Sequence, residues 1–285
     1  MLGQRVVTAI VLLIVLVAVL AVADPRPFEI LMAVFVGCAL WEWWRLTLSP
    51  RGGTGRAHLP AIAAGVVLGA ALVAWRWNSG GADLSAGPAG SFWRGLWIAV
   101  SAVWVGLLVP MLFRASPDAE PRNPWLTALA PFALLAAWSA LTAAFGRGVP
   151  FLLTLMAVVW IADISAYFVG RALGRNKLAP HISPGKTREG ALGGVVCVVV
   201  FVLACGFFPG TFGAALVERW GWAGALALAV VLAALSIAGD LFESLIKRRA
   251  GIKDSSNLLP GHGGVLDRVD ALLPTLPLAM MLASL

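Results

Sequence analysis

Residues able to do chemistry collect in two stretches of an otherwise apolar chain. The denser one runs Asp240-Leu-Phe-Glu243-Ser244-Leu-Ile-Lys247-Arg248-Arg249, then Lys253-Asp254, then Leu259-Pro260-Gly261-His262-Gly263-Gly264-Val265-Leu266-Asp267-Arg268-Val269-Asp270, and it holds five of the 14 acids. Asp240, Glu243, Ser244, Lys247 and Arg248 stand at i, i+3, i+4, i+7 and i+8, which puts carboxylates, a hydroxyl and cations on one helical face. Carboxylates one turn apart can share a hard cation such as Mg²⁺, which takes oxygen ligands and keeps substrate phosphate in its shell. A ladder of i,i+4 ion pairs would look similar, but Asp240 starts inside an apolar block, where an acid marks function by default. Gly261 to Gly264, around His262, offer pliable backbone whose N–H groups can approach phosphate. Asp267 and Asp270 follow at i, i+3; as plain first-turn acids they would suit the helix dipole, with His262 a cap.

The second stretch is sparser. Asp163 falls inside an apolar run beside Ser165 and Tyr167, where an unpaired carboxylate is expensive and a cation or basic partner is expected. Ser183-Pro184-Gly185-Lys186-Thr187-Arg188 has the composition of a phosphate cradle without the spacing of a Walker A loop, so P-loop chemistry is not indicated. Lys186, Thr187 and Arg188 could give a triphosphate a point charge, a hydroxyl and a fork; Arg188 could equally anchor a lipid surface.

The elements that must position these residues follow from composition. The 285 residues are 60% hydrophobic and 12% charged, with a mean hydropathy of +0.89, against roughly 25% charged for a soluble domain. A soluble globule, a disordered chain, a collagen and a coiled coil are excluded. Nine apolar runs of bilayer length are bounded by charge, Pro or Gly: Val6 to Ala23, Phe28 to Leu46, Leu59 to Trp75, Gly95 to Phe113, Trp125 to Phe145, Pro150 to Gly170, Ala191 to Pro209, Gly221 to Gly239 and Val265 to Leu285. None alternates with period two, and backbone polar groups must be satisfied internally in hydrocarbon, so the expectation is an all-α polytopic membrane protein of about nine transmembrane helices. Residues 1–150 are expected to form five amino-terminal helices, and residues 151–285 a catalytic membrane region with two polar loops. Arg5 and the Ala21-Val22-Ala23 end of the first run also resemble a cleavable signal, though the run is long for one.

Sixteen of the 21 basic residues fall on the amino-terminal side of alternating loops. The positive-inside rule then places the amino terminus and both polar loops in the cytosol of a plasma (inner) membrane protein. The net charge of +7 flanks apolar segments rather than forming an exposed basic stripe, so anionic lipids and cytosolic anions are expected partners and nucleic acid is not. Cys38, Cys197 and Cys205 lie in apolar blocks and suggest packing rather than disulfides or zinc. The 13 tryptophans, Trp41, Trp43, Trp44, Trp75, Trp77, Trp93 and Trp97 among them, suggest an interfacial belt. Glu42 and His58 read as structural. The small residues Ala63, Ala64, Gly65, Gly69 and Ala70 suggest close helix packing or a dimer face, and the Gly/Ser-rich stretches Arg51 to Gly55 and Asn78 to Ser91 suggest flexible loops.

Ser244-x-x-Lys247-Arg248, Lys253-Asp254 and Pro260-x-His262-Gly263-Gly264-x-x-Asp267-Arg268-x-Asp270 together span 27 residues and resemble the signature of the CDP-diacylglycerol synthase (phosphatidate cytidylyltransferase) family. Asp163-x-x-Ala166-Tyr167 with Gly170-Arg171, Ser183-Pro184-x-Lys186-Thr187-x-Glu189-Gly190 and Gly239-Asp240-x-x-Glu243-Ser244 reinforce the resemblance in the family's order. Gly185 departs from it, standing where many members carry a second Lys. The resemblance implies transfer of CMP from CTP to phosphatidic acid, giving CDP-diacylglycerol and pyrophosphate in phospholipid biosynthesis. It also implies Mg²⁺, K⁺ as a second cation, and a homodimer.

On this reading Asp240 and Asp267 hold the metal with Glu243, Asp270 and Asp163 around it, while Lys247, Lys253 and His262 complete the catalytic set. Ser183, Lys186, Thr187, Arg188, Ser244, Arg248, Gly263, Gly264 and Arg268 bind substrate. Two other readings use some of the same residues. A CTP-dependent polyprenol or phytol kinase would phosphorylate a lipid hydroxyl, and a transporter of an anionic solute would use intramembrane acids and broken helices.

Overall fold

The computed structural model describes residues 2–22, 24–49, 58–79, 87–114 and 116–284. The helices follow in order: α1 (Leu2–Ala21), α2 (Arg26–Leu48), α3 (His58–Asn78), α4 (Gly87–Val103), α5 (Val109–Arg114), α6 (Pro124–Gly146), α7 (Val149–Leu173), α8 (Arg188–Cys205), α9 (Phe212–Arg249), α10 (Leu266–Val269) and α11 (Leu272–Ser284). One two-stranded antiparallel hairpin, β1 (Lys177–Ala179) and β2 (Ser183–Thr187), interrupts them between α7 and α8. The protein is an all-α polytopic membrane protein. Seven of the described helical segments are long and apolar enough to cross a bilayer, and a shorter apolar helix is described over Val6–Ala21. With the 13-residue α11 these segments coincide with the nine predicted runs. The stretch Arg51 to Gly55 lies outside the described residues, as does most of Asn78 to Ser91; Asn78 closes α3, and Gly87 already belongs to α4.

Local chemistry sets the helix boundaries. Asn123 caps α6, its Oδ1 accepting the Leu126 N–H at 3.0 Å, with Pro124 in the first turn, where its missing N–H costs nothing. Between α4 and α5, Trp104–Leu108 form a π-helical turn. In α9, Gly221 adopts φ +66°, ψ 174°, a conformation open to glycine, and the kink separates a short amino-terminal arm from the membrane segment.

The small residues of α3 pack within the chain. A Cβ on Gly37 of α2 would stand 2.7 Å from the Gly65 carbonyl oxygen, and one on Gly69 3.3 Å from that of Ala33. The buried ion pair of Arg76 with Glu29 fastens the same two helices near their other ends. One hydrophobic cluster draws on both halves of the chain, including Trp43, Trp104, Leu152, Phe242 and Leu276.

The expected tryptophan belt needs correction in part: Trp75 and Trp77 are exposed, but others are not. Trp43, Trp97, Trp104 and Trp138 are fully buried. Trp75, Trp93 and Trp138 meet ring to ring, as do Trp43 and Trp104 on either side of Phe242. An interfacial tryptophan turns its N–H to the headgroups. Here the Trp97 Nε1–H goes to Ser139 Oγ at 2.9 Å, inside the bundle. Cys38, Cys197 and Cys205 are free thiols.

Candidate active site

Two crossings bring the chemical residues together. Along α7 and α8, Gly170, Gly190 and Gly194 let the backbones nearly touch: a Cβ on Gly190 would stand 2.6 Å from the Ala166 carbonyl oxygen, and one on Gly194 2.8 Å from that of Ala162. That contact sets Asp163 of α7 beside β2. Thr187 ends the strand and caps α8, its Oγ1 accepting the Gly190 N–H at 3.1 Å, and Glu189 closes the loop by accepting from the Arg175 and Asn176 N–H groups. At the second crossing, a Cβ on Gly239 of α9 would stand 2.6 Å from the Asp270 carbonyl oxygen, which places Asp240 and Glu243 beside the segment carrying Asp267 and Asp270.

The cavity between these elements has a volume of about 570 Å³. Six carboxylates line it, those of Asp163, Asp240, Glu243, Asp254, Asp267 and Asp270, together with the cations Arg171, Lys186, Lys247 and Arg268. Lys186 pairs with Asp240, and Lys247 bridges Glu243 and Asp267, reaching Asp267 Oδ1 at 2.6 Å. Asp267 Oδ2 accepts from the Ser255 N–H (2.9 Å), the Ser255 hydroxyl (2.8 Å) and the Gly264 N–H (2.7 Å). Burial works against the Asp267 charge, but the bonds from Lys247 and the Gly264 N–H outweigh it and hold its carboxyl below the usual carboxylate range.

The predicted residues separate into those the fold gathers and those it does not. Asp163, Ser183, Lys186, Thr187, Asp240, Glu243, Lys247, Asp267, Arg268 and Asp270 all line the cavity. Ser244 sits behind it, its hydroxyl 3.3 Å from Asp240 Oδ1. Arg248 is turned to the carbonyls of Ile182 and Ile252. Lys253 and Arg188 are exposed and outside the lining, although Lys253 adjoins Asp254, which is part of it. Gly263 at φ +82° and Gly264 spend their close approach on the protein itself: a Cβ on Gly263 would stand 2.6 Å from Asp267 Oδ2, and one on Gly264 would collide with Ser255 Oγ and Glu42 Oε1. His262 gives its carbonyl to Arg268 at 2.9 Å and lies outside this cavity.

Two features of the cavity escaped the sequence, and Glu42, read as structural, has a specific structural task. Tyr167 and Arg171, one turn apart in α7, line the cavity and are joined at 3.4 Å; both stood in a quoted motif, and Arg171 was the available cation. Asp254 adds a sixth acid. Glu42 of α2 is completely buried and accepts from the Ser256 hydroxyl and the Val265 and Leu266 N–H groups, and it shares the single Ser255 hydroxyl proton with Asp267. The guanidinium of Arg45 donates to the Ser255 carbonyl. The signature loop is thus clamped by an amino-terminal helix.

The donor set suits a hard cation, because every acid on the cavity wall offers oxygen and the buried Glu243 Oε1 has no partner. Among the described residues no three His, Cys, Asp or Glu side chains converge closely enough to hold an ion by themselves. An ion there would need further oxygens from substrate phosphate and water to complete its shell, as Mg²⁺ commonly does.

Comparison with known proteins places these observations in a family. The cytidylyltransferase family model matches residues 3–285. The phosphatidate cytidylyltransferase of Haemophilus influenzae is 34% identical over 290 aligned positions, covering 97% of this chain and 96% of the relative. That of Pseudomonas aeruginosa is 36% identical with 97% and 95% covered, and that of Brucella abortus is 50% identical over 143 positions, about half of each chain. A membrane bundle that gathers six acids and four cations at the family's motif positions, matched by that model along nearly its whole length, belongs to the cytidylyltransferase family.

Proposed function

We propose that this chain transfers the CMP moiety of CTP to the phosphate of phosphatidic acid, forming CDP-diacylglycerol and releasing pyrophosphate. The observation that carries the reading is the cavity in which lysines and arginines stand interleaved with carboxylates, at one end of an apolar bundle. A triphosphate needs cations and a metal; a lipid phosphate needs to reach them at headgroup depth.

An oxygen of the phosphatidate phosphate forms the new bond to the α-phosphorus of CTP while the α–β bridging bond breaks and pyrophosphate leaves. The nucleophile is a phosphate monoester, which with a second pKa of about 6 is already largely anionic at pH 7, so no strong general base is required. Positioning and charge neutralisation carry the catalysis. Lys186 and Lys247 hold triphosphate oxygens, Arg171 and Arg268 neutralise the lipid phosphate, and Thr187 and Ser183 contribute hydroxyls. Asp240 and Asp267 would hold the metal, with Glu243, Asp270 and Asp163 on the same cavity wall to orient them. Bound there, Mg²⁺ would supply Lewis-acid neutralisation of the phosphates. A second cation such as K⁺, a homodimer, and a plasma-membrane location with the amino terminus and the site facing the cytosol complete the reading. The family's chemistry and the distribution of basic residues support them.

The test uses the purified chain in detergent with phosphatidic acid, Mg²⁺ and CTP labelled at the α-phosphate or, in parallel, at the γ-phosphate. Labelled lipid with stoichiometric pyrophosphate is the expected result. Label reaching an added polyprenol only from the γ-phosphate would replace the proposal with a lipid kinase, and nucleotide-independent solute uptake in vesicles would replace it with a transporter.

A further inference from the structure

A second cavity, of about 530 Å³, lies directly beside the polar one and shares Arg268 with it. It is bordered by α1, α2, α6, α7, α11 and the signature loop, and apart from His262 and Arg268 its walls are apolar or aromatic, among them Leu12, Phe35, Leu141, Met156 and Leu276. The two polar residues stand together, the Arg268 guanidinium 2.9 Å from the His262 carbonyl oxygen, and the His262 Nδ1 is buried without a partner. This is an amphipathic chamber, its polar end marked by Arg268, which it shares with the reaction cavity, and its body lined by apolar side chains.

The wall formed by α1 differs from the others. Leu13 lines the chamber yet is 60% exposed, so the chamber opens sideways beside α1. Ile14 and Val7, on the outer side of that helix, are each 61% exposed. The helix is tied to the signature loop by a hydrogen bond from Thr8 Oγ1 to the Pro260 carbonyl at 2.9 Å. The outward groove between α2 and α3 is also apolar, but no residue of the polar cavity borders it.

We propose that the chamber behind α1 receives the acyl tails of the lipid substrate, entering laterally past α1, with Arg268 and the free His262 nitrogen steering the lipid phosphate from the chamber into the polar cavity. The proposal rests on the reaction assigned above. Its volume falls within the roughly 300–1,000 Å³ of ordinary ligand cavities, and its occupant is a substrate tail rather than bulk lipid because the polar end leads to the reacting phosphate. The chamber therefore sets how acyl length enters the specificity of the enzyme.

Two experiments on the full-length protein test it. First, a phosphatidate carrying a mid-chain diazirine is photolysed with the purified chain, and the labelled peptides are identified. Label on the inner face of α1, on α7 near Met156 or on α11 near Leu276, displaced by excess dioleoyl phosphatidate but not by phosphatidylcholine, is expected. Label confined to the α2/α3 groove, or displaced equally by both lipids, would overturn the proposal.

Second, Leu16→Trp and Met156→Trp fill the chamber without touching the polar cavity. The apparent KM for dioleoyl phosphatidate should rise at least about fivefold, while the KM for CTP and turnover of a dihexanoyl phosphatidate stay within about twofold. Equal losses on long and short chains, or no change on either, would refute the chamber's role. If the unaltered chain makes no CDP-diacylglycerol from any phosphatidate, the reaction assignment fails instead, and the crosslinking still decides whether the chamber takes a lipid. The crosslinking, done on the unaltered chain, also decides the matter if a filled variant does not fold.

Discussion

The Glu42 carboxylate takes the Ser256 hydroxyl, two backbone N–H groups and a share of the Ser255 hydroxyl from a loop more than 200 residues further along the chain. Replacing it by Gln turns one acceptor into a donor aimed at donors, and each buried group left unpaired costs about 1–3 kcal/mol. Glu42→Gln should therefore lower the thermal unfolding temperature in detergent and cut CMP transfer more than about tenfold, although the residue lines no part of the reaction cavity. Asp267→Asn has the opposite profile. An Asn still accepts from the loop but loses its charge toward Lys247, so the expected loss of turnover is at least about a hundredfold with the unfolding temperature shifted by only a few degrees. Asp267 could be recognised from its neighbours in sequence. Glu42 could not, because nothing local distinguishes an acid near a helix end from one that holds a distant loop.

At the scale of elements, apolar periodicity located every long helix, because length and composition alone decide whether a segment can lie in hydrocarbon. What those helices do to one another was less legible. The tryptophans read as an interfacial belt because that is where isolated helices hold them, whereas helix packing here turns Trp43 and Trp104 inward around Phe242, one residue before Glu243. The close approach of α7 and α8 was equally silent, since glycines in an apolar run look alike until a partner is known. It makes a sharp expectation. Gly190→Val would press its side chain into the Ala166 carbonyl and Thr187 Oγ1, overpacking that typically costs about 1–3 kcal/mol. Because the strain falls on the hairpin that carries Lys186, activity should drop at least about tenfold with the KM for CTP raised, as steady-state kinetics on the purified variant would show.

The whole molecule has two unlike ends. One holds the hairpin and the signature loop; at the other, Arg147 donates to the Ala283 carbonyl at 3.0 Å and Trp220 to that of Leu282 at 2.9 Å, closing the carboxyl end of α11. With the first end in the cytosol, a cysteine placed at Pro180 in a chain lacking the three native thiols should react with an impermeant maleimide only in opened cells. One placed at Gly148 should react in intact cells, and the reverse pattern would invert the topology. Chelation of divalent metal by EDTA should stop CMP transfer, and Mg²⁺ should restore it, a dependence read directly in the labelled-lipid assay.

The lysines seated on carboxylates give this end of the molecule a property that neither charge type has alone. With Lys186 on Asp240 and Lys247 between Glu243 and Asp267, two ammonium groups sit on three of the acids, so a metal ion arriving first must compete with an ammonium group for its own ligands. A polyphosphate that draws the lysines onto its oxygens releases those acids, and a metal that claims the acids releases the lysines. Binding of anion and cation is therefore reciprocal: whatever factor nucleotide adds to metal affinity, metal adds to nucleotide affinity. The empty enzyme thereby carries less uncompensated charge at the edge of a bilayer than its six acids alone would give it.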